Sequence, residues 1–399
     1  MKKTNTRILL LLLAGFYAMP TVAQEMEQEP KLVQTETKEP KDFKGLSGIT
    51  KNVIIGYAYS DFIYDPHSEI KTNFTRVGFS PTMVWMLGEK LFFESQVEFY
   101  TDSGNINTKI EYLKLSYIIN KYMTVGMGKM LTPFGLYTER IEAPFIEKLP
   151  NAPLGLRQMD GVPNIGPISP EMGVDLRGGF YVGDSKMNYV LYVSNGAKLN
   201  DGLSETHLAG TLNYENFFDN NSNKSFGGRI GYLPLSNSSL EIGGSWSYSE
   251  VGDVKTAYEH LMSKAYSFDV TYHKTYPALK SMIDFKGQVN FLEVDKANYF
   301  DEKGDVYSFE NRSNIYYVRL SLRPALVHNK YMKRFEFIGR YSVADFANDA
   351  LWGGYAQRTD LGISYWLSLR IGLRIAYEKG DGLHGVSTEA ILVRFVTGF

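Results

Sequence analysis

The sequence predicts an all-β fold, a transmembrane antiparallel β-barrel of about 16 strands, with 18 as the alternative count. Three observations predict it. Apolar and polar residues alternate over long stretches, the connections between these stretches alternate between short and long, and the N-terminus has the pattern of an export signal. Successive side chains of a strand point to opposite faces, so the alternation gives each strand one apolar face and one polar face.

The N-terminus carries the export pattern. Lys2 and Lys3 begin a basic region, and the apolar run from Ile8 to Phe16 has the length of a signal-peptide core. This run is too short to cross a bilayer as a helix. Because Thr21-Val22-Ala23 offers small residues for cleavage, we expect a signal peptide over residues 1–23.

Composition then narrows the class of protein. Residues 24–46 are rich in Glu, Lys, Gln and Pro, so we expect a flexible periplasmic tail. The chain has no cysteine, which excludes disulfides, thiol catalysis and a cysteine-linked lipid anchor. The net charge is -2, so the chain is not basic overall and we expect no nucleic-acid partner.

Residues 47–399 carry the barrel pattern. One clear stretch places Leu369, Ile371, Leu373, Ile375 and Tyr377 on one face, with Arg370, Gly372, Arg374, Ala376 and Glu378 between them. Such runs are about twice the five or six residues usual for soluble strands. Their length is that of a tilted strand crossing a bilayer.

The connections decide the strand count. We expect short connections at Leu87–Lys90, Asn120–Lys121, Gly183–Lys186, Pro234–Ser239, Tyr276–Ser281 and Trp366–Ser368, and long ones at Met130–Pro170, Asn195–Lys224, Glu250–Ser263 and Ala297–Glu310. Glu205–Tyr214 also has an extended pattern, which would make an odd count. Bacterial single-chain barrels have even counts, so we place this stretch inside a long outer loop.

Aromatic residues and the C-terminus fit a barrel in the outer membrane. Amphipathic rings suit the two headgroup interfaces, and those near strand ends are Phe62, Tyr64, Trp85, Tyr117, Tyr122, Tyr331, Tyr355, Tyr365, Trp366 and Tyr377. The final strand alternates and closes on Phe399, a pattern that barrels present to their assembly machinery. The expected partners are therefore that machinery, through Phe399, together with outer-membrane lipid and lipopolysaccharide.

Two segments resemble a known family. Gly128–Arg140 and Gly227–Pro234 are similar to pieces of the phosphate-selective porin O and P family. The resemblance implies a 16-stranded barrel, a homotrimer and a third outer loop folded into the lumen, for which residues 130–170 stand in the right place. The candidate constriction residues are Pro133, Phe134, Arg140, Lys148 and Arg157. The loop also carries acids at Glu139, Glu142, Glu147 and Asp160.

The register of the strands predicts which charges line the pore. A lipid-facing Arg near the bilayer midplane costs about 2–4 kcal/mol, so inward placement is preferred. The predicted pore-lining residues are Arg319, Arg323, Arg340, Arg358, Arg370, Arg374 and Arg394 on one wall, with Glu94, Glu98 and Asp175 on earlier strands. The alternative is that these arginines are structural and pair with Glu336, Asp360 and Glu378.

These patterns predict a porin, a water-filled channel for passive diffusion of small polar or anionic solutes, with phosphate as one candidate. An outer-membrane barrel enzyme and a closed structural or adhesive barrel are the alternatives. None of the six histidines lies in a recognisable catalytic motif, and neither G-x-S-x-G nor H-E-x-x-H occurs. We therefore expect no catalysis, no cofactor and no metal.

Overall fold

A computed structural model describes residues 50–102, 104–157, 163–215 and 217–399 of the chain. The expected signal peptide (1–23), the expected tail (24–46) and Asp160 lie outside these residues. The described residues form a closed barrel of sixteen antiparallel strands, which confirms the predicted fold class and count.

Each strand is numbered by its place in the barrel. The first eight are β1 Thr50–Tyr64, β2 Thr72–Leu87, β3 Leu91–Asp102, β4 Asn105–Asn120, β5 Met123–Met130, β6 Glu171–Val182, β7 Ser185–Ser194 and β8 Ser225–Leu233. The other eight are β9 Leu240–Glu250, β10 Met262–Tyr276, β11 Ser281–Phe300, β12 Val306–Arg323, β13 Phe335–Phe346, β14 Gly354–Trp366, β15 Ile371–Asp381 and β16 Ser387–Gly398.

Each strand pairs with its neighbour in sequence, and β1 pairs with β16 to close the sheet. Tyr57 lies opposite Gly398 in this closing pair, and the Phe399 amide donates to the Gly56 carbonyl oxygen at 3.0 Å. A single helical turn, α1, spans Tyr137–Arg140, and 3-10 turns occur at Thr206–Leu208, Met332–Arg334 and Leu383–Gly385. No helix in the described part of the chain is long and apolar enough to cross a membrane.

The two faces of the barrel differ as the alternation predicts. On β12, Leu320 is 53 % exposed on the outside, whereas Arg319 is 2 % exposed on the inside. Every backbone group of a closed sheet is paired, so an apolar exterior can face lipid without unsatisfied hydrogen bonds. The closed barrel and its outward apolar residues are those of a protein of the outer membrane.

The connections follow the expected alternation only in part. On the outer side β3 ends at Asp102 and β4 begins at Asn105, and on the side of the termini the connection 324–334 is longer than most outer ones. The segments 131–170 and 195–224 are the two longest, both on the side opposite the termini. The expected long connection Ala297–Glu310 is instead a hairpin, because β11 continues to Phe300 and β12 begins at Val306. Aromatic packing stabilises this extension, with the rings of Tyr299 and Phe309 5.0 Å apart.

Glu205–Tyr214 lies in the connection 195–224, as predicted. Two-residue strands, Lys198–Leu199 and Leu212–Asn213, pair only with each other. We call residues 195–215 and 217–224 the outer cap. The cap is tied to the extended hairpin and to the connection 347–353, because Trp352 Nε1 donates to the Ala209 carbonyl oxygen at 2.8 Å and Asn311 Nδ2 donates to that of Gly210 at 3.0 Å.

Candidate pore constriction

Residues 131–157 and 163–170, here called the inward segment, cross the barrel interior between β5 and β6. The segment begins with a turn at Gly135, whose φ of +63° is a conformation that glycine adopts readily. The Gly135 amide donates to Ser245 Oγ of β9 at 3.0 Å. The amides of Leu136 and Tyr137 both donate to Gln288 Oε1 of β11, at 2.8 and 3.0 Å.

The helical turn α1 is fixed by two charged contacts. Arg140 Nη1 donates to both carboxylate oxygens of Glu241 on β9, each at 2.9 Å. Arg177 of β6 donates to Glu139 Oε1 at 2.7 Å. These contacts hold the last two residues of the turn against different strands, so α1 has a defined position in the lumen.

The middle of the segment lies against β12 to β15. Arg319 donates to Glu147 Oε1 at 2.7 Å, and Arg374 donates to the carbonyl oxygens of Pro144 and Phe145, the latter at 2.7 Å. These bonds satisfy backbone groups that would otherwise be buried without partners.

Lys148 and Asn151 extend the same contact. Lys148 Nζ lies 2.5 Å from Glu336 Oε1 and 3.5 Å from Asp284 Oδ1. Asn151 Nδ2 donates to Asp360 Oδ1 at 2.7 Å. The segment therefore supplies side chains to charges on several strands of one wall.

Arg358 of β14 also contacts the inward segment. It donates to the Ala152 carbonyl oxygen, and its Nε lies 3.2 Å from Asp360 Oδ1. We call Arg319, Arg340, Arg358 and Arg374 the clamp arginines, because each donates to the inward segment.

The other three predicted arginines lie elsewhere. Arg394 is bound by Asp61 through Nε at 2.6 Å and Nη2 at 2.7 Å. Arg323, near the end of β12, donates to the Lys333 carbonyl oxygen at 3.1 Å. Arg370 was expected on a strand facing the lumen. It lies instead in the exposed turn 367–370, because β14 ends at Trp366 and β15 begins at Ile371.

Burial shows how the arginines are used. The clamp arginines and Arg394 are between 1 and 3 % exposed. Their partners include Asp360, and Arg358 also lies 3.9 Å from Glu378 Oε2. Arg340 and Arg358 thus pair with acids that the structural alternative names. Arg319 and Arg394 pair with other acids, Glu147 and Asp61, and Arg374 donates to carbonyl oxygens of the inward segment.

Trp366 was expected at a membrane interface, but it faces the interior. Its Nε1 donates to Glu336 Oε2 at 3.2 Å, and the guanidinium of Arg374 lies 5.7 Å from the ring centroid. The ring also meets Phe145 of the inward segment edge-on at 6.5 Å.

Apolar packing fills the same half of the barrel. Phe134, Leu136, Ile141 and Leu156 of the inward segment are at most 2 % exposed and belong to one cluster with residues of β11 to β14. Leu149 packs where β14 carries Gly362, since a Cβ built there would lie 2.4 Å from Leu149 Cδ2. The space beside β12 to β15 is therefore occupied.

Open space remains on the opposite side, along β1 to β4. A cavity of about 290 Å³ lies there between the barrel wall and the inward segment. Its charged lining residues are Arg76, Glu98, Lys109, Glu111, Glu142, Arg157 and Glu215, and Tyr59 and Tyr100 add phenol rings.

A second cavity of about 60 Å³ adjoins the first. The two cavities share four lining residues, which we call the neck: Glu98, Glu111, Glu142 and Arg157. Glu98 and Glu111 belong to the wall, and Glu142 and Arg157 belong to the inward segment. The neck is therefore where the remaining space is bounded from both sides.

A β-bulge shapes the wall side of the neck. Gln96 pairs with Tyr112 and Val97 pairs with Ile110, so Glu111 is the extra residue. Ile110 and Leu113 are exposed on the outer face, which leaves Glu111 and Tyr112 both turned inward. Bulges commonly re-aim a side chain in this way.

Hydrogen bonds order the aromatic residues beside the neck. Tyr59 donates its hydroxyl to Glu98 Oε1 at 3.0 Å, and Gln96 Nε2 donates to the hydroxyl oxygen of Tyr57 at 3.0 Å. Arg394 lies over the Tyr59 ring, 5.0 Å from its centroid. These contacts hold Glu98 in one position facing the cavity.

The remaining predicted residues fall into two groups. Glu98 and Arg157 line both cavities, and Arg140 lines the smaller one. Glu94 and Asp175 lie around Lys114, with Oε1 and Oδ2 at 3.6 and 3.3 Å from its Nζ. The other constriction candidates do not line the cavities. Pro133 and Phe134 are buried in the packed part of the inward segment, and Lys148 anchors the segment to Glu336.

Sequence reasoning did not select Arg76, Lys109 and Glu111 as lining residues. A signal for Glu111 exists in the sequence, because Ile110 and Leu113 are three positions apart where strict alternation requires two. Among the described residues, no group of His, Asp and Glu side chains is arranged to hold a metal ion.

Comparison with known proteins identifies the fold. No family model and no curated protein matches the sequence. Solved structures with a similar fold include OmpF of Salmonella typhi in complex with daunomycin, with a TM-score of 0.59 and 9 % identity over 88 % of this chain and 98 % of that chain.

Two further structures are similar. An anion-selective porin from Comamonas acidovorans has a TM-score of 0.56 and 12 % identity over 88 % of this chain and 100 % of that chain. The outer membrane channel DcaP of Acinetobacter baumannii has a TM-score of 0.55 and 10 % identity over 90 % and 99 %. At these identities the likeness establishes a shared barrel fold.

Proposed function

We propose that this protein is a porin, a passive diffusion channel for small polar solutes across the outer membrane. The observation that carries the proposal is a pair of adjoining cavities along β1 to β4, the larger lined mainly by polar groups, inside a barrel whose other half is filled. Charged and phenolic side chains line this space, so water and polar solutes are better accommodated there than apolar ones. The proposed route passes through the neck.

The sequence suggested anionic solutes, with phosphate as one candidate, because arginines share one wall. The clamp arginines do not support that preference, since they are buried and donate to the inward segment. An arginine must reach the solute to bind phosphate through its planar fork. We therefore propose general diffusion and assign no phosphate selectivity.

A closed structural barrel is the second candidate, and one observation favours it. The inward segment fills much of the lumen, and the smaller cavity has a volume of only about 60 Å³. An enzyme is disfavoured because the sequence carries no recognisable catalytic motif. The family resemblance implies a homotrimer, which remains a prediction for this chain.

Reconstitution separates the two candidates. The purified full-length protein, inserted into planar lipid bilayers, should give discrete conductance steps, and liposomes that contain it should swell faster with small sugars than with large ones. Swelling should decline steeply with solute size because the smaller cavity on the proposed route has a volume of only about 60 Å³. A correctly folded barrel that gives neither steps nor swelling would establish the closed barrel instead.

A further inference from the structure

The charge of the neck differs from that of the wall opposite. Counted over the described residues, the neck has three carboxylates, Glu98, Glu111 and Glu142, and one guanidinium, Arg157. Around the smaller cavity as a whole, Glu139 and Arg140 join this set, which gives four acids and two bases. Carboxylates thus outnumber cations where the two cavities share their lining.

The nearby bases are largely committed to other acids. Arg140 is held by both oxygens of Glu241 at 2.9 Å. Lys109 Nζ lies 3.0 Å from Glu215 Oε1 and 3.7 Å from Glu111 Oε1, so its charge is divided between two carboxylates. Counted over the described lining of both cavities, there are five acids and four bases, so one negative charge is in excess: Glu98, Glu111, Glu139, Glu142 and Glu215 against Arg76, Lys109, Arg140 and Arg157.

The clamp arginines do not reverse this excess. Each is buried under the inward segment, and Arg340 and Arg319 have carboxylate partners at 2.9 and 2.7 Å. Their field at the neck is reduced because Arg319, Arg340 and Arg358 each lie beside a carboxylate, while Arg374 is covered by the carbonyl oxygens of the inward segment. The charges that a permeating ion meets directly are therefore those of the neck.

From this arrangement we propose that the neck makes the channel prefer small cations, potassium and primary ammonium ions alike, over anions. The inference rests on the proposed diffusion function and adds the charge of the solute. Rings of Asp and Glu side chains favour cations in pores, and Arg and Lys favour anions. Tyr59, which donates to Glu98, holds one carboxylate toward the route.

The reversal potential in a KCl gradient tests the proposal on the full-length protein in neutral bilayers. The permeability ratio of potassium to chloride should exceed one, and ethylammonium should carry current in place of potassium. The triple variant Glu98→Gln/Glu111→Gln/Glu142→Gln should lower the ratio roughly twofold or more. Arg157→Gln should raise the ratio, because it removes the neck's own cation.

A matched control removes three carboxylates away from the neck. Asp184→Asn/Glu302→Gln/Asp305→Asn changes exposed residues of two turns and should leave the ratio unchanged. If the triple neck variant does not fold, Glu142→Gln alone, which alters no barrel strand, should lower the ratio by a smaller amount. Heat-dependent migration in gels reports folding for every variant.

The outcomes separate this inference from the proposed function. A folded protein that conducts no ions contradicts the diffusion function itself. A conducting wild-type channel that prefers chloride, or folded neck variants with an unchanged ratio, overturns the cation preference and leaves the diffusion function standing. A lowered ratio that the control variant matches would also overturn it, since the effect would then come from net charge.

Discussion

Arg340 and Asp360 face each other across β13 and β14, with the arginine Nε 2.9 Å from the aspartate Oδ2. Asn151 of the inward segment binds both, accepting from Arg340 on its carbonyl oxygen at 3.0 Å and donating to Asp360 Oδ1 at 2.7 Å. The charges of this wall therefore hold the segment in place. That arrangement underlies the first three predictions.

Arg319→Gln should destabilise the protein. It leaves Glu147, which is 3 % exposed, without its charged partner, and breaking a buried pair on one side costs about 3–5 kcal/mol. The inward segment can detach while the barrel stays folded, so only part of this cost lowers the free energy of global unfolding. Urea titration of the reconstituted barrel measures the loss. The double variant Arg319→Met/Glu147→Leu should recover most of it, and no recovery would contradict the pair's role.

Replacing residues 143–153 with a Gly-Ser linker should widen the channel and change its selectivity. The linker removes the groups that cover the clamp arginines, so these side chains become accessible to ions. Conductance should rise, and the potassium-to-chloride permeability ratio should fall. A folded variant with wild-type conductance would show that this stretch does not restrict the pore.

Gly362→Leu should displace the inward segment without altering charge. A Cβ at this position would lie 2.4 Å from Leu149 Cδ2, and overpacking typically costs about 1–3 kcal/mol. Single-channel recordings should show larger or noisier steps. Gly339→Leu is the matched control, because Gly339 on β13 has only Leu361 Cδ2 nearby, at 3.8 Å. Equal effects of the two variants would speak against a steric role for Leu149.

The cation preference should weaken in acid. Burial raises the pKa of Glu142, and the nearby carboxylates of Glu98 and Glu215 raise it further. The positive charges of Arg157 and Lys109 lower the pKa, but the net shift is upward. Glu142 therefore takes up a proton at higher pH than an ordinary glutamate. The potassium-to-chloride ratio should fall as the pH is lowered from neutral, and the fall should begin at a higher pH than an ordinary glutamate would give.

The variant Glu142→Gln isolates this effect, because its ratio should change less over the same pH range. Low pH has opposite effects on the two properties: it weakens the cation preference, whereas the raised pKa of Glu142 favours the folded state there. A raised pKa in the folded protein stabilises it at low pH, and this contribution is lost as pH rises through the folded-state pKa. If the variant and the wild-type protein have the same pH profile, Glu142 does not control selectivity.

Trp352→Ala should release the outer cap. The indole is buried and donates to the Ala209 carbonyl oxygen, and large aromatic-to-alanine changes in a core cost about 3–5 kcal/mol. Proteolysis of intact cells should then cut within residues 195–224 faster than in the wild-type protein. Leu351→Ala changes an exposed neighbour and should leave the cleavage rate unaltered.

The barrel itself could be predicted because strand alternation is a local property of the sequence. Each inward or outward assignment depends only on neighbouring residues, and Arg319, Arg340 and Arg374 all face inward as expected. Arg370 was misassigned because the alternation already begins at Leu369, whereas β15 begins only at Ile371. The boundary of a strand is a weaker signal than its periodicity.

The candidate site was harder to predict because it depends on contacts between distant residues. Inward orientation does not distinguish an arginine that lines water from one covered by another segment. The positions of Pro144 and Asn151 settle that question for Arg374 and Arg340, and nothing local in the sequence specifies them. Glu111 was missed for a local reason, since a single bulge changes its side of the sheet.

The anchoring of the inward segment also has a consequence for the order of assembly. The segment lies between β5 and β6, yet Glu147 and Arg319 are 172 positions apart, and Phe145 and Arg374 are 229 apart. Contacts between such distant positions form late, because the long stretch of chain between them must first be brought into a closed loop. A nascent barrel that lacks β12 to β15 has no partners for these groups. The open space inside the finished barrel is therefore set by strands that are synthesised after the segment they restrain.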